Sequence, residues 1–258
     1  MKDLVGYSID AKDGKVGKVK DFLFDDHERT IRYMVADTGG WLSSHKVLIS
    51  PDHLMEPDLG LVGNHFPVDL TKSEIENCPP LDADAPVSRQ YEEAFMKYYA
   101  NSPYWIESAA LPGFIESPIA SGGMALDPEH AKNAVREPIE LVNHIRSFNE
   151  VKHYDIVAND GEIGHVEDFI IDCKSWGLRY LVVDLHRWLP GGKRLFDVDW
   201  LIDFDYRGCI ARLDLTKNQI EAGPAFDPHE AVNEDYQRNL YDYYGKPIRE
   251  DVPPFTPY

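Results

Sequence analysis

The chain is poor in the residues and patterns that usually reveal an activity. Its only cysteines are Cys78, Cys173 and Cys209. An odd count without a C-x-x-C pair argues against a disulfide framework and a cysteine zinc site alike, and leaves reduced, structural thiols. No apolar run approaches the ~18 residues of a membrane-spanning helix. The start, MKDLVGYSID, lacks an apolar signal core, so a cytoplasmic protein without membrane insertion is expected. Basic residues are also scarce: 26 Lys and Arg stand against 45 Asp and Glu, a formal net charge of −19 at pH 7. Such a field repels phosphate backbones and anionic headgroups, which disfavours nucleic acid as a partner.

Motifs for chemistry are missing as well. The ten histidines form no H-E-x-x-H, there is no G-x-S-x-G elbow, and no Lys-Ser or Lys-Thr follows a glycine loop in phosphate-binding spacing. The acidic cluster Asp25, Asp26, His27, Glu28 lacks the ligand spacing of a calcium loop and reads as a solvated turn. No metal or cofactor site is implied.

What the chain does contain is a repeat. YSIDAKDGKVGKVKDFLFD from Tyr7 to Asp25 returns as YDIVANDGEIGHVEDFIID from Tyr154 to Asp172, with ten of nineteen positions identical. The same offset of 147 residues carries IRYMVAD (31–37) onto LRYLVVD (178–184), and Trp41-Leu42 onto Trp188-Leu189. Two residues then drop out, and VDLTKSEIE from Val68 meets LDLTKNQIE from Leu213. A supersecondary unit repeated at this spacing is a duplicated fold. The boundaries expected are 1–101, an irregular Pro- and Gly-containing linker at 102–146 with a short helix around Pro128–Val135, and 147–258.

Within each copy, Asp13-Gly14 and Asp160-Gly161 sit between alternating segments and predict tight hairpin turns. Gly17 and Gly164 lie inside the following strand and predict a bulge or a close backbone approach. Thr71 with Glu74, and Thr216 with Gln219, have capping-box spacing. Tyr91, Phe95, Tyr98 and Tyr99 match Tyr236, Leu240, Tyr243 and Tyr244 in one helical stripe. For the second copy Asp227 is the expected N-cap, with Pro228 at the first helical position and Gly245 at the stop.

The run SFNEVKHYDIVANDGEIGHVEDFIID, followed by LRYLVVD and RWLPGGKRLF, resembles the PRC-barrel domain, named for the cytoplasmic domain of the photosynthetic reaction-centre H subunit. The motif falls on Asp13, Gly14, Gly17, Val19, Asp21 and Phe22, and again on Asp160, Gly161, Gly164, Val166, Asp168 and Phe169. The resemblance implies a mainly β protein: two tandem small antiparallel PRC-type β-barrels, each followed by an amphipathic α-helix. It brings no catalytic residues, and members that work by contact with larger assemblies imply a bacterial, non-enzymatic interaction or scaffold protein.

The copies differ where Lys15, Lys18 and Lys20 align with Glu162, His165 and Glu167, one hairpin being basic and the other acidic. These six residues are the candidate interaction face, toward a protein partner or toward a second copy in a homo-oligomer. Arg32 with Asp37, and Arg179 with Asp184, are five apart on a strand and so are expected to meet different neighbours. The rival reading is a small-ligand site or enzyme in the cleft between barrels, lined by His186, Arg187 and Trp188. A ribosome-associated role, by analogy with a related barrel in a ribosome-maturation factor, is disfavoured by the charge.

Overall fold

The computed structural model describes residues 1–39, 46–58, 64–76, 144–185, 192–229 and 232–248. The chain forms two compact units, Met1–Ala85 with His144–Tyr258, and Pro86–Asn143. The second unit lies outside the described residues, as do the stripe from Tyr91 to Tyr99, the helix around Pro128–Val135 and both Trp-Leu turns.

The first unit holds two six-stranded sheets. One contains β1 (Ser8–Ala11), β2 (Gly14–Asp25), β3 (Thr30–Asp37), β4 (Lys46–Ile49) and β5 (His65–Pro67), followed by α1 (Lys72–Glu76). Its order is β4-β3-β2-β1-β5, and β6 (Ile145–Ser147) joins it by pairing with β2. After β6 come α2 (Phe148–Val151), β7 (Asp155–Ala158), β8 (Gly161–Ile171), β9 (Leu178–Asp184), β10 (Lys193–Asp197), β11 (Leu201–Asp205), β12 (Ile210–Leu213), α3 (Lys217–Ala222) and α4 (Glu234–Tyr244). The second sheet runs β10-β9-β8-β7-β12-β11.

Two features depart from a simple antiparallel barrel. Each sheet has one parallel pair, β1 with β5 and β7 with β12, because the chain crosses over before its last repeated strand. Among the described residues neither sheet closes on itself by hydrogen bonds; the end strands β4 and β5, or β10 and β11, remain apart in the order.

Local sequence explains the repeated geometry. Gly14 and Gly161 take φ of +124° and +132°, which other residues rarely adopt. The preceding aspartates do more than turn the chain. Asp13 Oδ1 accepts the Lys72 amide at 2.8 Å and Asp160 Oδ1 the Lys217 amide at 2.7 Å, so each hairpin caps the helix that follows its own last strand. Both ladders slip one residue before Gly17 and Gly164, leaving Val16 and Ile163 as bulges. Thr216 and Gln219 form the full reciprocal capping box of α3.

Helix α4 starts later than the sequence suggests. Its N-cap is Asn233, whose side chain accepts the Tyr236 amide, whereas Asp227 accepts the His229 amide in a separate turn. The buried face consists of Leu240, Tyr241 and Tyr244, while Tyr243 is exposed. Tyr241 donates to the buried carboxylate of Asp197, and Tyr244 packs on Trp200 at 4.9 Å. Gly245 ends the helix in the left-handed region, as its position predicts.

The two sheets share one core. Phe24 of β2 lies 5.5 Å from Phe169 of β8 and 5.9 Å from Phe204 of β11, Phe148 lies 6.1 Å from Phe169, and Phe66 stacks on Trp176 at 5.9 Å. Edge-to-face and tilted ring pairs of this kind add to the burial of their area.

Candidate interaction faces

The polar residues that the repeat singles out fall into an internal group and an exposed group. Internally, Arg179 binds Asp172 at 2.7 Å, and Arg32 approaches Asp25 at 3.9 Å; neither arginine forms an ion pair with the aspartate five residues on. Asp172 also closes its turn by accepting the Lys174 and Ser175 amides, just as Asp25 accepts those of His27 and Glu28. Burial opposes the charge of Asp172, but Arg179 and the two amides outweigh it and hold the carboxyl below its usual range. Asp26 takes His144 at 2.8 Å and Arg146 at 3.0 Å, clamping β6 to β2. The acidic cluster is therefore a turn plus a strand clamp. Among the described residues no group of three His, Cys, Asp or Glu side chains is arranged to hold a metal ion. Burial pushes the Cys173 thiol up to about 11, so it is not a thiolate at neutral pH.

The six candidate residues do not share one environment. Lys15, Lys18 and Lys20 are all exposed along β2, and among the described residues none makes an ion pair. Among their counterparts Glu162 is exposed, but His165 and Glu167 are half-buried. His165 faces Asp184 at 4.0 Å, with His153 beside it. Glu167 binds Lys193 at 2.7 Å and Lys2 at 3.1 Å. Burial resists its ionisation, yet the two lysines hold its carboxyl below the ordinary range. A second register slip makes Lys20 and Glu167 the extra residues of equivalent bulges, so strict alternation along the strand does not decide where they point. His186, Arg187 and Trp188 lie outside the described residues.

The joint between the halves is a set of residues that sequence reasoning missed. Asp21 accepts from the Ser147 hydroxyl at 2.5 Å, the Asn149 amide at 3.1 Å and the Phe22 amide at 2.8 Å. Its equivalent, Asp168, accepts the Lys2 amide at 2.8 Å and the Phe169 amide at 2.8 Å. The signal was present in both copies as a repeated aspartate beside a repeated phenylalanine, but nothing local tells that its partners lie in the other half.

Burial is the largest influence on Asp21 and raises its pKa despite the hydrogen bonds it accepts. A carboxyl whose folded pKa exceeds its unfolded value binds protons more readily when folded, so its ionisation detracts from stability as pH rises above the ordinary value of 3.8. Asp21→Asn removes that ionisation. Measured by urea denaturation, the stability of the variant relative to the parent should be higher at pH 7 than at pH 4; a difference independent of pH would refute the assignment.

No curated protein matches the chain. The family model for the PRC-barrel domain matches residues 2–75, which span the first sheet from the turn before β1 to α1. The second half repeats that segment in sequence, strand order, bulges and capping. Residues 2–75 are thus similar to the PRC-barrel domain, a domain of the protein-interaction or scaffold type.

Proposed function

We propose that the protein is a non-enzymatic adaptor of the bacterial cytoplasm whose first half docks an acidic protein partner along Lys15, Lys18 and Lys20. The observation that carries this reading is an imbalance. In a chain of net charge −19, these three exposed lysines have no carboxylate partner among the described residues, whereas the repeat's acidic counterpart Glu167 is held by Lys2 and Lys193. Unneutralised charge of the minority sign favours encounter with an oppositely charged surface and makes the association sensitive to salt. The family supports the same class of role.

The test is recovery of partners from the native host by tagged full-length protein and mass spectrometry, beside a Lys15→Glu, Lys18→Glu, Lys20→Glu variant of unchanged circular dichroism. One acidic partner should be retained by the parent, weakened as salt rises and lost at least tenfold in the variant. Equal retention by both proteins would show that this face is not the docking surface.

A further inference from the structure

The joint between the halves obeys a two-fold rule. Thr30 and Gly177, equivalent positions in the repeat, pair with each other in an antiparallel bridge. On either side the contacts are reciprocal. The Ile31 amide donates to Trp176 O at 2.8 Å, and the Leu178 amide, from the equivalent of Ile31, donates to Arg29 O at 2.7 Å, Arg29 being the equivalent of Trp176. Likewise the Lys2 amide reaches Asp168 as the Asn149 amide reaches Asp21. Contacts in which i meets j and j meets i define an isologous interface, the kind that joins two copies of one molecule.

From this we infer that the joint is a docking surface for a second copy of the chain: two molecules exchange second halves, and the first half of each is closed by the second half of the other. The seat already holds that occupant within a single chain, so an exchanged dimer needs no new contact, only a different covalent path between Glu76 and Ile145. Charge then selects the pairing. Lys2 meets Glu167, and the Asn149 side chain meets the carbonyl of Lys20. Two first halves would instead set Lys2 against Lys20 and Lys46, the equivalents of Glu167 and Lys193, and two second halves would replace the Lys2–Glu167 pair by Asn149 against Glu167. First with second is the favoured combination, and exchange preserves it. Of the lysine row in the adaptor reading, Lys20 borders this surface through its carbonyl, whereas Lys15 and Lys18 take no part in these contacts.

Closure within one chain competes at an effective concentration on the order of millimolar. The exchanged dimer should therefore be a trace species after refolding at about 5 μM and reach roughly a third of the protein after refolding at about 1 mM. Full-length protein carrying an inserted protease site between residues 102 and 143 separates exchange from other association. Cleavage of an exchanged dimer yields two closed lobes of monomer size, whereas a dimer held by outer surfaces keeps its size on light scattering. Because the closed monomer and the exchanged dimer contain the same Lys2–Glu167 contact, Glu167→Lys should lower the stability of both without shifting their ratio and Lys2→Glu added to it should restore that stability, while a Lys15→Glu, Lys18→Glu variant should change neither. Only monomer after refolding at about 1 mM, or a dimer that survives cleavage, would overturn the inference; both results are read on the unsubstituted sequence and do not require the charge variants to fold.

Discussion

Phe24→Ala should unfold both halves together. Phe24 is fully buried, and its ring packs on Phe169 and Phe204, which belong to the other half of the repeat. Truncating such a phenylalanine removes its transfer free energy and leaves a cavity, a loss of about 3–5 kcal/mol. Because the cavity is bounded by β2 on one side and by β8 and β11 on the other, neither sheet can collapse into it without disturbing the other. The expected result is a single urea transition displaced to lower concentration, with hydrogen exchange accelerating in β9 and β10 as much as in β3 and β4. Two independent domains would instead give a split transition in which β9 and β10 keep their protection. That outcome would refute the shared core.

How much of this could be seen before the structure depends on how far apart in sequence the interacting groups lie. Strands, hairpin turns and the capping box at Thr216 and Gln219 rest on neighbours within a few residues, and a duplicated pattern reports them twice. The apolar character of Phe22, Phe24 and Phe169 is also plain in the sequence. What faces them is not, because a buried phenylalanine looks the same in sequence whether its neighbours come from its own sheet or from the other. Asp13 illustrates the same limit: its glycine neighbour announces a turn, but the amide it caps is Lys72, 59 residues away. The lysine row was legible as charge. The bulge at Lys20 was not, since a period of two presumes a regular strand. The sequence difference between Lys20 and Glu167 acquires meaning only once Lys2 and Asn149 are seen opposite them.

Gly17→Ala tests the other feature that both copies retain, and its effect should exceed that of any other glycine-to-alanine change in the first sheet. A Cβ on Gly17 would collide with the Asp37 carbonyl oxygen and stand 2.8 Å from Thr38 Cα. These are backbone atoms of the neighbouring strand, which cannot rotate away as a side chain can. The β2–β3 ladder must therefore open at Lys18–Asp37 to admit the methyl group. Overpacking of this kind costs about 1–3 kcal/mol, and a purely backbone obstacle places Gly17→Ala at or above the upper end. Gly164→Ala meets the same obstacle, with Asp184 O at 2.6 Å and the Leu185 side chain at 2.8 Å, so it should be severe but somewhat milder. At Gly177 the nearest atom is the Ser175 hydroxyl at 3.3 Å, a movable group, and alanine there should cost less than either. Thermal denaturation of the three variants should rank them in that order of loss. If Gly17→Ala melted with the parent, the close approach of β2 to β3 would not be what this repeated glycine provides, and its recurrence at Gly164 would need a different cause.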